Sequence, residues 1–286
     1  MFSILILTYN EEKNLPDCLD SIPWCDDIWV LDSGSTDQTV EIAKRHGCHL
    51  LTRKFDDFGN QRNYAIDHAQ FKYPWVFDLD ADERFTNALK EECDDVVRKD
   101  EKSAYYVANK IIIGGKWIRR TSGYPVYQMR FHKLGEIRFL GWGHGQREGE
   151  AKRGLGYLKE PYIHYNFTKG IADWFTKHVD YARREALLRI ELENARDAEA
   201  RGEFLGVVSR RRRLKKFFNN LPCKPLVRFI YQYFWKLGML DGRYGLQFSL
   251  MYAWYQFTMD CIYRDLKTEC DLKLQNPKSD SISDVQ

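Results

Sequence analysis

Along its first hundred residues the chain alternates short apolar runs with stretches of helical period, the pattern of βαβ units and a largely parallel sheet. Phe2 to Thr8 reads as a buried strand, and Asn10 is placed to cap a helix running through Ser21. Ile28 to Leu31 predicts a second strand. Behind it come Asp32-Ser33-Gly34-Ser35-Thr36-Asp37 and a helix ending at Gly47, where glycine suits the residue after a helix. A strand near His49 to Thr52, a helix over Asn60 to Ala69, a strand over Trp75 to Leu79 and a helix over Thr86 to Lys99 follow.

The pattern then changes. Ala104 to Ile113, Gly114-Gly115 and Lys116 to Ile118 read as a hairpin, and Val126 to Lys133 with Ile137 to Leu140 as another, which adds antiparallel strands to the sheet. Ile171 to about Ala200 is strongly helical, and the remainder is helical and aromatic up to about Leu272. The expected organisation is an α/β domain over residues 1–168, a helical extension over 169–275 and a flexible tail over 276–286, without internal repeats.

Composition agrees with a folded chain. Of 286 residues, 44% are hydrophobic and 15% aromatic, with only 8 Pro and 19 Gly, which excludes disorder and collagen-like structure. Seven scattered cysteines without a C-x-x-C argue against a disulfide framework or a thiolate zinc site and point to reduced thiols in a cytosolic chain. Phe2 to Leu7 follows no basic region and is too short for a signal peptide or a membrane span. The uncharged stretch Tyr244 to Met259 contains Gln247, Ser249, Gln256 and Thr258 and falls short of a transmembrane helix.

The net charge of +3 hides an asymmetry. Between Arg210 and Arg264 there are eleven Lys or Arg against two Asp, so the rest of the chain is net acidic. Phe217 to Tyr263 also holds fourteen aromatic residues, interleaved with the basic ones. The segment reads as a surface for anionic lipid, ahead of a solvated helix and of nucleic acid, with Arg210, Arg211, Arg212, Arg213, Lys215 and Lys216 as the lipid contacts. No nucleic-acid partner is expected, because no recognised RNA-binding or helix-turn-helix signature accompanies the patch.

In an open α/β sheet, ligands bind outside the carboxyl ends of the strands. Three polar clusters fall at such ends: Thr8-Tyr9-Asn10-Glu11, Asp32 to Asp37, and Asp78-Leu79-Asp80-Ala81-Asp82-Glu83. Asp32 is placed to accept hydrogen bonds from a base or ribose, or else to form the turn itself with Ser35. Four acidic groups within six residues would repel one another at a buried strand end unless a cation compensates them, and oxygen ligands suit Mg2+ or Mn2+.

Ser3 to Glu12, Val30 to Asp37, Gly59-Asn60-Gln61-Arg62-Asn63 and Asp78 to Glu83 closely resemble the motifs of family 2 glycosyltransferases, and among these the small bacterial enzymes of lipopolysaccharide-core and cell-surface polysaccharide assembly. The motif match covers Phe2 to about Tyr165. The last third resembles that subgroup more loosely, through its basic, aromatic character and Gly238-Met239-Leu240-Asp241-Gly242-Arg243. The resemblance implies a GT-A fold, a Rossmann-like, mixed but mainly parallel sheet flanked by helices. It further implies a nucleoside-diphosphate sugar donor, usually a UDP-sugar, and a divalent cation. Carried over by motif, Thr8, Asn10, Glu11 and Asp32 would line the nucleoside pocket, Arg62 would approach the base or diphosphate, Asp80 would reach the ribose or metal, and Asp82 would ligate the metal.

Family 2 enzymes invert the anomeric centre by direct displacement, which needs a stabiliser for the departing diphosphate and a base for the acceptor hydroxyl. Related enzymes often carry a His-Glu pair here; this chain has Gly141-Trp142-Gly143-His144-Gly145-Gln146-Arg147-Glu148. Glu148 is the first candidate for the base and Asp173 the reserve, with His144 as a metal or phosphate contact and His164 as a phosphate contact. Gln128 and Arg130 match a strand of the family and are candidates to face the acceptor, the alternative being a half-exposed edge strand. The expected protein is a metal-dependent enzyme, peripheral on the inner face of the plasma membrane, that glycosylates a lipid-linked or lipopolysaccharide-type acceptor. A nucleotidyltransferase should instead show a Gly-rich basic loop after the first strand, and a non-catalytic membrane- or RNA-binding protein would not need carboxylates at three strand ends.

Overall fold

β1 (Ser3–Thr8) is almost wholly apolar because the sheet buries both its faces. In the computed structural model, which describes residues 1–143, 145–201 and 223–275, it lies between β2 (Ile28–Asp32) and β4 (Trp75–Asp80), parallel to both. β3 (His49–Thr52) extends the parallel set beyond β2, and β5 (Glu83–Arg84) begins just after β4. Four helices accompany these strands: α1 (Leu15–Asp20), α2 (Thr39–Arg45), α3 (Phe58–His68) and α4 (Asn87–Lys99). Asp57 caps α3 by accepting from the Asn60 N–H, and Thr86 caps α4 by accepting from the Leu89 N–H. The chain visits β2 and β3 on one side of β1 and then crosses to β4 on the other, so the crevice for a ligand lies at the carboxyl ends of β1 and β4.

Asn10 does not cap a helix. α1 starts only at Leu15, and Asn10 takes a left-handed turn (φ 53°) from which its Oδ1 accepts the Thr36 N–H at 2.8 Å. Asparagine tolerates that conformation better than most residues, and the turn draws the loop after β1 onto the loop after β2.

β6 (Ala104–Ile113) and β7 (Lys116–Trp117) form the first expected hairpin. The second is different. β8 (Tyr127–Lys133) is an interior strand, antiparallel to β4 on one edge and to β6 on the other, so no edge is left for residues 137–140. β9 (Phe139–Trp142) pairs with β10 (Gly145–Glu148) instead, in a separate ribbon held to α3 where the Asn63 amide bonds both the N–H and the C=O of Phe139. β11 (Leu155–Tyr157) and β12 (Tyr162–His164) add in parallel to β6, and β12 pairs with β5. Among the described residues ten strands thus make one sheet, with β3-β2-β1-β4-β8-β6-β12-β5 as its main path. Because β5 follows β4 after only Ala81 and Asp82, the path from β4 to β5 curls back on itself.

Arg130 sits inside that curl. As β6 steps from Tyr105 to Tyr106, the partner on β8 steps from Phe131 to Met129, leaving Arg130 as an unopposed bulge residue. Its guanidinium, 3% exposed, donates to Asp80 Oδ2 at 2.7 Å and Glu83 Oε1 at 2.6 Å and lies over the Tyr162 ring. Arg130, a candidate to face the acceptor, is thus a buried anchor of the curl. Gln128 is exposed and accepts from the Tyr162 hydroxyl. Burial pushes the Glu83 carboxyl up to about 8, against the pull of Arg130, with repulsion from Asp80 adding to the rise.

α5 (Ile171–Arg201) packs on the last helix, while α6 (Lys224–Ile230), a π-helical turn (Tyr231–Trp235) and a 3-10 turn (Gly238–Asp241) lead into that helix, α7 (Arg243–Gln275). These helices share core with the sheet, since Phe248 packs with Ile111, Ile113 and Ile118. The Gly238–Arg243 motif has a mechanical role: Asp241, buried, accepts from the N–H groups of Arg120 and Thr121 and from the Thr121 hydroxyl. A Cβ on Gly238 would come within 2.7 Å of the Gln232 carbonyl and 2.9 Å of the Thr121 hydroxyl, so the residue must be glycine. Cys18, Cys25, Cys48, Cys93, Cys223 and Cys261 are free, and no described helix is long and apolar enough to cross a membrane.

Arg130→Met removes the guanidinium that joins Glu83 to Asp80, leaving Asp80 only the more distant Arg62, and should lower stability by about 3–5 kcal/mol in urea unfolding; a loss below about 1 kcal/mol would mean that Arg62 can replace it. Since the folded Glu83 value lies above the ordinary 4.5, the stabilisation from its proton is complete below about pH 4.5 and is lost as pH rises through about 8. The melting temperature of the wild type should therefore fall relative to Glu83→Gln as pH rises from about 4.5 and level off above about 8, and parallel profiles over that range would show that folding does not raise the Glu83 carboxyl.

Candidate active site

The loops after β1 and β2 are sewn together by side chains. The Asn10 N–H donates to Ser35 Oγ at 2.8 Å and the Glu11 N–H to Thr39 Oγ1 at 2.7 Å. Asp32 lies buried beneath them, accepting from the Thr8 and Ser35 hydroxyls with Oδ1 and from the Gly34 and Ser35 N–H groups with Oδ2. Its acceptor capacity thus goes into the turn, which needs Gly34 at φ 91°. The turn-forming alternative for Asp32 is what the structure displays. Glu11 meets Lys169 at 2.5 Å and the Asn14 amide at 2.7 Å, and Lys169 also donates to the Tyr9 carbonyl. Burial pushes the Glu11 carboxyl up, and Lys169 and Asn14 pull it down without cancelling that rise.

The acidic cluster grades from core to rim. Asp78, 1% exposed, faces Arg62 Nε at 3.0 Å and His132 Nε2 at 3.4 Å. Asp80, 33% exposed, is held between Arg130 and Arg62 Nη2, the latter at 3.6 Å. Desolvation opposes its charge, but the two guanidinium groups outweigh it and keep its carboxyl well below the usual range. For Asp78 and Asp80 the repulsion expected between these carboxylates is thus met by the chain's own arginines. Arg62 is buried, and its remaining Nη1 donates to Gln146 Oε1 at 2.6 Å, so it clamps β4 to β10 instead of reaching into the crevice.

Asp82, beyond the end of β4, has a different partner. His164 Nε2 lies 3.2 Å from its Oδ2, while His164 Nδ1 is buried without a hydrogen-bond partner, 3.9 Å from Glu83 Oε1. Burial opposes both charges, yet each raises the other's: the Asp82 carboxyl is held low and the His164 imidazole is pushed up. Two neighbours on α5 complete the rim. Desolvation works against the Lys177 ammonium, but the Tyr181 phenol and the carboxylates of Asp82, Glu11 and Asp80 outweigh it and raise its pKa. Lys177 also lies 5.9 Å from the Tyr181 ring centre.

Glu148, half-buried on β10, accepts a hydrogen bond from the Tyr106 hydroxyl, and no described contact joins it to Asp80 or Asp82. Asp173, exposed in the first turn of α5, stands one turn before Lys177 and so on the same helix face. His144 and the run Arg210 to Lys216 lie outside the described residues. Sequence reasoning missed Lys169, Lys177, Tyr181, Gln146 and His132. A signal for part of this set was present, because Asp173, Lys177 and Tyr181 recur at four-residue spacing on a helix rich in other charges.

No group of three or more His, Cys, Asp or Glu among the described residues is poised to hold a metal ion. A hard divalent ion bound together with a diphosphate needs only one or two protein ligands. The Asp82 carboxylate at the rim, with His164 Nε2 beside it, fits that requirement.

The family model for glycosyl transferase family 2 matches residues 3–149, just over half of the chain. The chain is similar to the lipopolysaccharide core biosynthesis glycosyltransferase LpsC of Rhizobium meliloti (strain 1021), 31% identical over 165 residues covering 55% of this chain and 57% of LpsC. An uncharacterized glycosyltransferase of Rickettsia typhi, RT0209, is 29% identical over 104 residues, 36% of this chain and 35% of that one. The chain thus spans little more than half the length of the first relative and about a third of the second. Among solved structures, S. aureus TarS 1–349 in complex with UDP aligns over 95% of this chain and 91% of its own at 14% identity and a TM-score of 0.45. Glucosyl-3-phosphoglycerate synthase from Mycobacterium tuberculosis, in complex with Mn2+, UDP and glucosyl-3-phosphoglycerate, aligns over 65% and 77% at 15% identity and a TM-score of 0.44. With the motifs in order along β1, β2, α3 and β4 and the crevice at their carboxyl ends, the chain belongs to glycosyl transferase family 2, with a GT-A fold.

Proposed function

We propose that the enzyme transfers a sugar from a UDP-sugar, with inversion, to a lipid-linked or lipopolysaccharide-type saccharide at the inner face of the plasma membrane, with Mn2+ or Mg2+ as cofactor. One observation carries the reading. At the switch point between β1 and β4 the chain neutralises Asp78 and Asp80 with its own arginines, but leaves Asp82 and His164 paired at the rim, in the neighbourhood of Lys177. The likeness to a lipopolysaccharide core biosynthesis glycosyltransferase of Rhizobium meliloti supports the acceptor class.

In this reading Thr8, Asn10 and Glu11 form the wall of the nucleoside pocket, and Asp32 keeps that wall in shape through the Gly34–Ser35 turn. Lys169 ties the wall to α5. Asp80, fixed by two guanidinium groups, presents an ionised carboxylate to a ribose hydroxyl. Asp82 and His164 would hold the divalent ion, whose chemistry when bound is to neutralise charge on the departing diphosphate. Lys177 adds a positive charge on the same side. We assign the base to Asp173 ahead of Glu148, since Asp173 is solvent-exposed on the helix face that carries Lys177, whereas Glu148 is engaged with Tyr106.

Titration calorimetry with UDP, GDP, dTDP and ADP, each with and without Mn2+, should show UDP alone binding, and more tightly with the ion. Absence of any nucleotide binding would overturn the donor reading. Asp82→Ala and His164→Ala should each remove the Mn2+ dependence; retention of it in both would place the ion elsewhere. Asp173→Asn should lower kcat by about 10²–10⁴ with UDP affinity unchanged, the range for loss of a general base. If Glu148→Gln shows that loss instead, the base is Glu148.

A further inference from the structure

The segment from α6 through the first turns of α7 leaves an unusual amount of apolar surface in solvent. α6 buries no side chain, and Leu226, Ile230, Phe234, Trp235, Leu237 and Leu240 are all exposed, Trp235 to 80%. Leu226, Ile230 and Phe234 recur at four-residue spacing, so they share one face of the helical run. Leu246 and Leu250 continue the same spacing on α7 and are exposed too. Soluble proteins rarely display so many large apolar side chains in one segment unless something covers them.

Charge selects what covers them. From Lys224 to Phe257 the charged residues are Lys224, Arg228, Lys236, Asp241 and Arg243, and the one acid, Asp241, is buried and bonded to the 120–121 backbone. Lys224 is paired with Asp260 at 2.8 Å, and the charges left outward in the segment, Arg228, Lys236 and Arg243, are all positive. Exposed aromatic and aliphatic residues ringed by Lys and Arg match the headgroup boundary of an anionic bilayer, where the apolar tips enter the acyl region and the cations meet phosphate. A protein partner would be expected to find acceptors and donors of both signs on such a rim.

The topology also places this surface. β6 and β4 are both antiparallel to β8, so they run the same way, and the β6–β7 hairpin leaves the sheet at the end where β4 delivers Asp80 and Asp82. His164 is level with Ile111, three residues before the Gly114-Gly115 turn. Lys116 and the 120–121 backbone, just past that turn, hold Asp241 and with it the knob. The apolar knob and the sugar-transfer crevice thus belong to the same end of the sheet.

We propose that residues 226–250 form a membrane-docking knob that inserts shallowly into an anionic bilayer, with Trp235 and Phe234 at its tip and Arg228, Lys236 and Arg243 on lipid phosphate, turning the crevice toward a lipid-linked acceptor. The purpose rests on the acceptor reading above; the docking itself is read independently of it. The test is flotation of the full chain with phosphatidylcholine vesicles, with and without phosphatidylglycerol, beside calorimetry of the same samples with UDP and Mn2+. The wild type should float with the phosphatidylglycerol vesicles only. Phe234→Glu with Trp235→Glu, and separately Leu240→Glu, should lower the vesicle-bound fraction at least tenfold while UDP binding stays unchanged, since these exposed side chains support no core. Failure of the wild type to float overturns the proposal, as does equal flotation of the variants. So does self-association of the wild type that the Trp235 change abolishes, because a second copy then covers the knob. Flotation without UDP binding would leave the docking standing and remove the donor assignment instead.

Discussion

One buried guanidinium holds the curled end of the sheet together. Arg130 lies where the sheet closes from β4 through β8, β6 and β12 to β5, and it bonds carboxylates on both ends of that circuit, Asp80 and Glu83. Two carboxylates facing one cation cannot both be stabilised equally in a buried place. Asp80, which also has Arg62, keeps its charge, and Glu83, fully buried, is the one that holds a proton. The curl, the position of the Ala81-Asp82 link and the ionisation of Asp80 are consequences of the same contact.

That arrangement separates structural acids from chemical ones. Asp78 and Asp80 lie on one strand face because side chains two apart point the same way, and Arg62, on the α3 helix that crosses them, bonds both. Asp82 falls past the strand end, outside that register, and finds His164 from β12. A carboxylate paired with an imidazole can exchange that partner for a ligand more readily than one locked between arginines, which is the ground for placing the proposed ion site at the rim rather than in the cluster as a whole.

The helices after residue 170 are integral to the enzyme. Lys169 bonds the loop after β1, α5 carries Lys177 toward Asp82, and Asp241 grips the segment after β7. The loop after β1, the Asp82 rim and the apolar knob are therefore tied into one body by contacts that cross from the helices to the sheet. A surface that orients the protein on a membrane would orient the crevice with it.

The sequence by itself determined the parallel half of the sheet, the four helices between its strands, the β6–β7 hairpin and the family, because these depend on local periodicity, caps and contiguous motifs. It also located the three strand ends that carry the chemistry. Only the tertiary structure decided which residues at those ends are free to react. Arg130 and Gln128 share a period in the sequence, but a bulge turns Arg130 into the core. Arg62 and Asp32, legible as pocket residues, are engaged with Asp78 and with the Gly34–Ser35 backbone. Residues 137–140 find α3 instead of β8 because both edges of β8 are already paired. Lys169, Lys177 and His164 reach the site from elements about 80 to 170 residues away from the motifs they serve, and no local pattern encodes a contact between segments that only folding brings together.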